Sequence, residues 1–128
     1  MIITKCDKCG ELMHKADKCF ACGSTIGFTK VDSTLNVHEN VKDEYENLER
    51  LVRNEKYDEA LALSKLILEW MPSCSDVFWL RFLAKNHCNT DEALIRKGVS
   101  CEDSADYHNA VMYANETQKK VYTGVADK

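Results

Sequence analysis

Proline is nearly absent, with Pro72 alone among 128 residues, and glycine occurs only five times. A turn-rich β-sandwich needs more of both, so the composition favours long helices. No apolar run approaches the roughly 20 residues that a bilayer-spanning helix needs. The start, Met1-Ile2-Ile3-Thr4-Lys5-Cys6, lacks the basic region and following apolar stretch of a secretion leader. A cytoplasmic protein without membrane contact is therefore expected. Catalytic signatures are also missing: there is no Gly-rich phosphate loop, no His-Glu-x-x-His and no Gly-x-Ser-x-Gly. The histidines, at 14, 38, 87 and 108, are scattered. His87 and Cys88 are neighbours on one helix, so they point about 100° apart and make no nucleophile–base pair. The expectation is a protein that is not an enzyme.

Hydrophobic residues make up 45% of the chain, which suffices for a packed core and argues against general disorder. Cysteines number seven, an odd count, and four of them form two Cys-x-x-Cys pairs. In a reducing compartment that pattern favours metal over disulfides. Cys74, Cys88 and Cys101 lie in helical text and read as small buried apolar residues.

The chain divides into three. Residues 1–28 hold short apolar stretches between Cys-Gly punctuations at 9–10 and 22–23, the pattern of a small β-ribbon. Residues 29–40 are polar and without apolar periodicity, and read as a linker. Residues 41–128 have helical periodicity. Val41, Tyr45, Leu48 and Val52 mark the first stripe. The second helix carries two stripes, Tyr57, Ala60, Leu61, Ser64, Ile67, Leu68 and Met71 on one face and Leu63, Leu66 and Trp70 on another, so packing on both sides is expected. Pro72 ends it, and Ser73 or Ser75 caps a third helix that is apolar almost all round. Asn89 or Thr90 caps a short fourth helix stopped at Lys97-Gly98. Ser104 caps a last helix running through Val121, with fraying from about Thr123.

The ribbon's cysteines are spaced Cys-x2-Cys-x9-Cys-x2-Cys. Two residues between cysteines let both thiolates reach one ion from a single turn, and the glycine after each pair accepts the backbone geometry that aims N–H groups at sulfur. Cys6, Cys9, Cys19 and Cys22 together complete a tetrahedron with no position left for water, which predicts one structural zinc ion (Zn2+). Iron at four thiolates has the same geometry. Two unrelated redox pairs would need a thioredoxin-like βαβ context that the segment is too short to hold. A segment this small needs such a staple, since chains below roughly 40 residues seldom fold on their own core. His14 is either a substitute ligand or, as we prefer, an exposed strand residue. With a polar linker and nothing obvious to dock it, the ribbon is expected to be independent, so that a chelator unfolds it and leaves the helical signal intact.

Cys6-Asp7-Lys8-Cys9-Gly10 and Cys19-Phe20-Ala21-Cys22-Gly23 resemble the short zinc-ribbon family found at the N-terminus of many bacterial proteins. That resemblance implies a fold and a metal and no particular activity. Tyr57-Asp58-Glu59-Ala60-Leu61, Ile67-Leu68 and Pro72 resemble the second helix of a tetratricopeptide repeat, and Asp91-Glu92-Ala93-Leu94 resembles a degenerate second copy. A plain helical bundle is the alternative. If the repeat resemblance holds, it implies a concave face formed by Tyr45, Glu49, Arg53, Asp76, Trp79 and Leu83 that takes another protein or peptide, although Trp79 also reads as a core residue. The expected fold is thus mainly α, tetratricopeptide-like or bundled, behind a β zinc ribbon, and the expected function is that of an adaptor. A nucleic-acid-binding regulator is the second reading. Residues 1–30 hold five lysines and three acids, a net +2, but a divalent ion on four thiolates carries −2 and cancels that excess.

Overall fold

Apolar residues three and four apart set the helices, and their alternation with polar residues sets the strands. The computed structural model describes residues 2–16, 18–32 and 41–127. Among these, the order is β1 (Ile3–Cys6), β2 (Leu12–His14), β3 (Phe28–Asp32), α1 (Lys42–Arg53), α2 (Tyr57–Trp70), α3 (Ser75–Lys85), α4 (Asp91–Lys97), α5 (Ala105–Met112) and α6 (Glu116–Ala126). The protein is mainly helical, with one small antiparallel sheet in the order β2-β1-β3. None of the described helices is long and apolar enough to cross a membrane. Residues 29–32 of the expected linker belong to β3, and its residues 33–40 lie outside the described residues.

The first stripe packs as its spacing predicts: Val41, Tyr45, Leu48 and Val52 are all buried. α2 lies against α1 and α3 and buries Ala60, Ser64 and Ile67. Its second stripe packs only in part: Leu63 is half-buried against the core, while Leu66 is 57% exposed and Trp70 72%. α3 is the centre of the helical part. It touches α1, α2 and α5 and buries Val77, Trp79, Leu80, Phe82, Leu83 and Ala84.

The helix ends follow local chemistry, with three departures from expectation. Thr90 and Ser104 cap α4 and α5 by accepting from the N–H of Ala93 and Tyr107, and α4 stops at a left-handed Gly98. The N-cap of α3, however, is Cys74, without a side-chain bond. Ser73 does not cap it, and the Ser75 hydroxyl instead donates to the Ala110 carbonyl of α5 at 2.9 Å. The helix expected to run on from Ser104 is two helices. Asn115 starts α6 with a reciprocal capping box, its side chain accepting from the Gln118 N–H while the Gln118 side chain accepts from the Asn115 N–H. That box satisfies the backbone of a new helix and outweighs continuation of the old one. The segment after Thr123 is helical to Ala126 and packs through buried Val125.

Three buried carboxylates knit the helices. Asp106 of α5 meets Lys85 at 2.6 Å and Arg81 at 3.4 Å on α3, and Arg81 also donates to Ser64 of α2 at 2.8 Å. Asp76 accepts from Gln118 at 2.8 Å and from the Tyr122 hydroxyl at 3.2 Å. Asp91 accepts from the Trp79 indole at 2.9 Å. Buried carboxylates need such donors, since an unpaired one costs several kcal/mol.

The sheet is not free of the helices, contrary to the expected independence. Ile3 belongs to the helical core, Leu12 packs against it, and β2 touches α6. His14, expected at an exposed strand position, is 7% exposed and sits 2.6 Å from Asp91. The physical reason is the strand period. Residues two apart share a face, so Leu12 and His14 both turn toward the helices while Met13 turns away.

Candidate metal centre

The two knuckles are built alike. Each is a Lys-Cys-x-x-Cys-Gly segment, from Lys5 and from Lys18. In the first, the Gly10 N–H donates to the Cys6 carbonyl at 2.7 Å, and the Cys6 N–H donates to the Glu11 carbonyl at 3.0 Å. In the second, the Gly23 N–H donates to the Cys19 carbonyl at 2.8 Å, and the Cys19 N–H to the Ser24 carbonyl at 2.8 Å. Gly10 and Gly23 hold φ of +80° and +79°, which strains any residue with a Cβ. The Lys5 and Lys18 stems run past these glycines, with Cε 3.9 Å from where a Cβ would stand.

These turns bring Cys6, Cys9, Cys19 and Cys22 together, with all four sulfurs within 4.8 Å of one another. Cys6 Sγ lies 3.6 Å from Cys22 Sγ, and Cys9 Sγ 3.6 Å from Cys19 Sγ. A tetrahedral ion with bonds of about 2.3 Å places its sulfurs about 3.8 Å apart, and the two pairs at 3.6 Å already stand near that spacing. Cys6 and Cys19 are buried beside Met13, with Phe20 and Phe28 packed around them, while Cys9 and Cys22 are exposed. His14 is not part of the set, because its Nδ1 faces Asp91.

The two thiols of the first knuckle are shifted in opposite directions. N–H groups of Cys9 and Lys8 are directed at Cys6 and bring its thiol down to about 7. The Glu11 N–H pulls Cys9 down as well, but desolvation and the three neighbouring sulfurs prevail and push it up to about 12. Four sulfurs this close cannot all ionise without a positive ion among them, so metal binding must displace protons. Metal affinity is therefore expected to fall with acid, by about tenfold per pH unit for each proton displaced. Competition with a chromophoric chelator at about pH 6 and about pH 8 checks this, and an affinity independent of pH would contradict thiolate ligation.

The other three cysteines are buried and apart from the cluster. Burial pushes the Cys74 thiol up to about 11 and raises those of Cys88 and Cys101. The residues assigned to a concave partner face do not form an open surface. Tyr45, Asp76, Trp79 and Leu83 are buried, Glu49 is half-buried, and Arg53 is exposed. Burial and the Asp76 charge hold the Tyr45 hydroxyl well above its ordinary range, as they do that of Tyr122. The first-helix stripes that would line a groove are spent on the protein's own core, with the sheet and α6 seated beside Trp79. Sequence reasoning missed His14 and Asp91 as an interface pair, and Asp91 carried no signal beyond its place in the first turn of α4. No protein-family model matches the chain, and no curated protein and no solved structure matches it, so the functional reading rests on this geometry.

Proposed function

We propose that the chain is a non-enzymatic adaptor, in which a ribbon stapled by one structural zinc ion is joined to tetratricopeptide-like helices that bind another protein. The observation that carries the metal is the cluster of four sulfurs within 4.8 Å. Soft thiolates at tetrahedral spacing suit zinc and disfavour magnesium or calcium, which take oxygen. Four protein ligands leave no site for water, so the ion holds structure. The repeat reading is supported by the first three helices, where α1 packs on α2, α2 on α3 and α1 on α3. The seven-residue α4 departs from it, since its main helical contact is with α6 and α3 packs chiefly on α2 and α5. Exposed Leu66 and Trp70 on α2 support a protein partner.

Elemental analysis of protein purified without chelators is expected to give one zinc per chain, unchanged in the Cys74→Ser, Cys88→Ser and Cys101→Ser variants. Iron, or no metal, would overturn the zinc assignment. Tight nucleic-acid binding that weakens steeply with salt in a gel-shift assay would replace the adaptor reading with that of a regulator acting through the ribbon lysines.

A further inference from the structure

β2 is shared between two structures. Its Met13 packs with Cys6 and Cys19 at the metal cluster, while Leu12 and His14, on the opposite face, meet the helices. His14 spans a sequence separation of 77 residues to reach Asp91 at 2.6 Å. Its ring lies 5.9 Å from that of Trp79 and 5.5 Å from that of Tyr122, which stack on each other at 4.4 Å. The Asp91 carboxylate is divided between the modules: Oδ2 faces His14, and Oδ1 accepts from the Trp79 indole at 2.9 Å. Trp79 and Asp91 are both buried.

From this placement we infer that metal occupancy of the cysteine cluster is coupled to the helical core through His14, so that the ribbon is a metal-set latch over Trp79, Asp91 and Tyr122. The inference rests on the metal reading proposed above. Strands of four, three and five residues around a cluster as small as Cys6, Met13 and Cys19 cannot hold their register unaided. Without the ion, β2 loses the geometry that aims His14. Its departure leaves the Asp91 carboxylate short of one donor and opens the Trp79–Tyr122 stack to water. Linkage makes the coupling reciprocal: whatever the ion adds to docking, docking adds to affinity for the ion. A residue that ligates nothing, on the far side of the interface, thereby acts on the metal site.

The test uses the full chain and zinc itself, titrated against a chromophoric chelator. Asp91→Asn keeps the size of the side chain and its acceptor for Trp79 but removes the charge that holds His14. It is expected to weaken zinc binding on the order of tenfold, as is His14→Gln. A folded Asp91→Asn protein with zinc affinity within about twofold of the parent would overturn the latch, because couplings of this kind are typically fivefold or more. A second readout does not depend on that variant folding. In a Trp70→Phe background, Trp79 is the sole tryptophan. Its emission is expected to shift to the red when zinc is removed and to return when zinc is restored. Unchanged emission would refute the latch. A parent protein that takes up no zinc is distinguishable from both, since it gives no titration at all, and overturns the metal reading together with the latch.

Discussion

Replacing Cys19 by serine is expected to abolish stoichiometric metal binding and to unfold the ribbon. Cys19 is fully buried beside Cys6 and Met13, at the inner wall of the cluster. A serine hydroxyl does not ionise at neutral pH and is a hard donor, so the site is left with three thiolates and a gap. Structural zinc supplies about 10–16 kcal/mol in small peptides, and the ribbon has little else to hold it: its own apolar cluster is Cys6, Met13 and Cys19 with two half-buried phenylalanines. Loss of one buried ligand should therefore lower affinity by several orders of magnitude. Because Ile3 belongs to the helical core and Leu12 packs on it, the damage is expected to reach the helices as a lower melting temperature. Elemental analysis paired with thermal circular dichroism checks both parts. A Cys19→Ser protein that retains about one zinc per chain and the parent melting temperature would show that the cluster does not hold the ribbon together.

Much of this architecture can be read from spacing. The Tyr45, Leu48 and Val52 stripe, the caps at Thr90 and Ser104, the stop at Gly98 and the four clustered cysteines are all local patterns, and each appears where its spacing puts it. Three features could not be read that way, for three physical reasons. The His14–Asp91 contact joins polar residues 77 positions apart, and neither carries a mark that distinguishes a buried partner from a solvated one. The break between α5 and α6 has a local signal, Asn115 with Gln118 three residues on, but the apolar spacing from Ala110 through Ala114 to Val121 reads through it. The outer stripe of α2 has the hydrophobicity of a packed face, yet Leu66 and Trp70 are exposed, because periodicity reports a face and not what covers it. The same blindness affected the concave face, where helix positions suited to a partner are also those suited to the core.

Trp79 separates those two roles by its expected effect. A tryptophan on an open partner-binding face tolerates truncation, with stability changes within about 0.5 kcal/mol. Trp79 is instead 0% exposed, stacks on Tyr122, and packs against Phe82, Tyr107 and His14. Trp79→Ala is expected to cost about 3–5 kcal/mol for the lost contacts and the cavity. The loss of the indole donor to Asp91 adds about 1–3 kcal/mol, since that oxygen stays buried without its hydrogen bond. The sum is a large part of the roughly 5–15 kcal/mol that a domain of this size has in total, so the alanine variant should be partly unfolded at ambient temperature. Trp79→Phe separates the contributions: it keeps most of the ring volume and forfeits the hydrogen bond, so its cost should lie well below that of alanine. Urea unfolding of the three proteins, with zinc in excess throughout, measures the series. If Trp79→Ala unfolds at the parent's urea midpoint, Trp79 is not the centre of the core, and the concave face would have to be reconsidered as a surface.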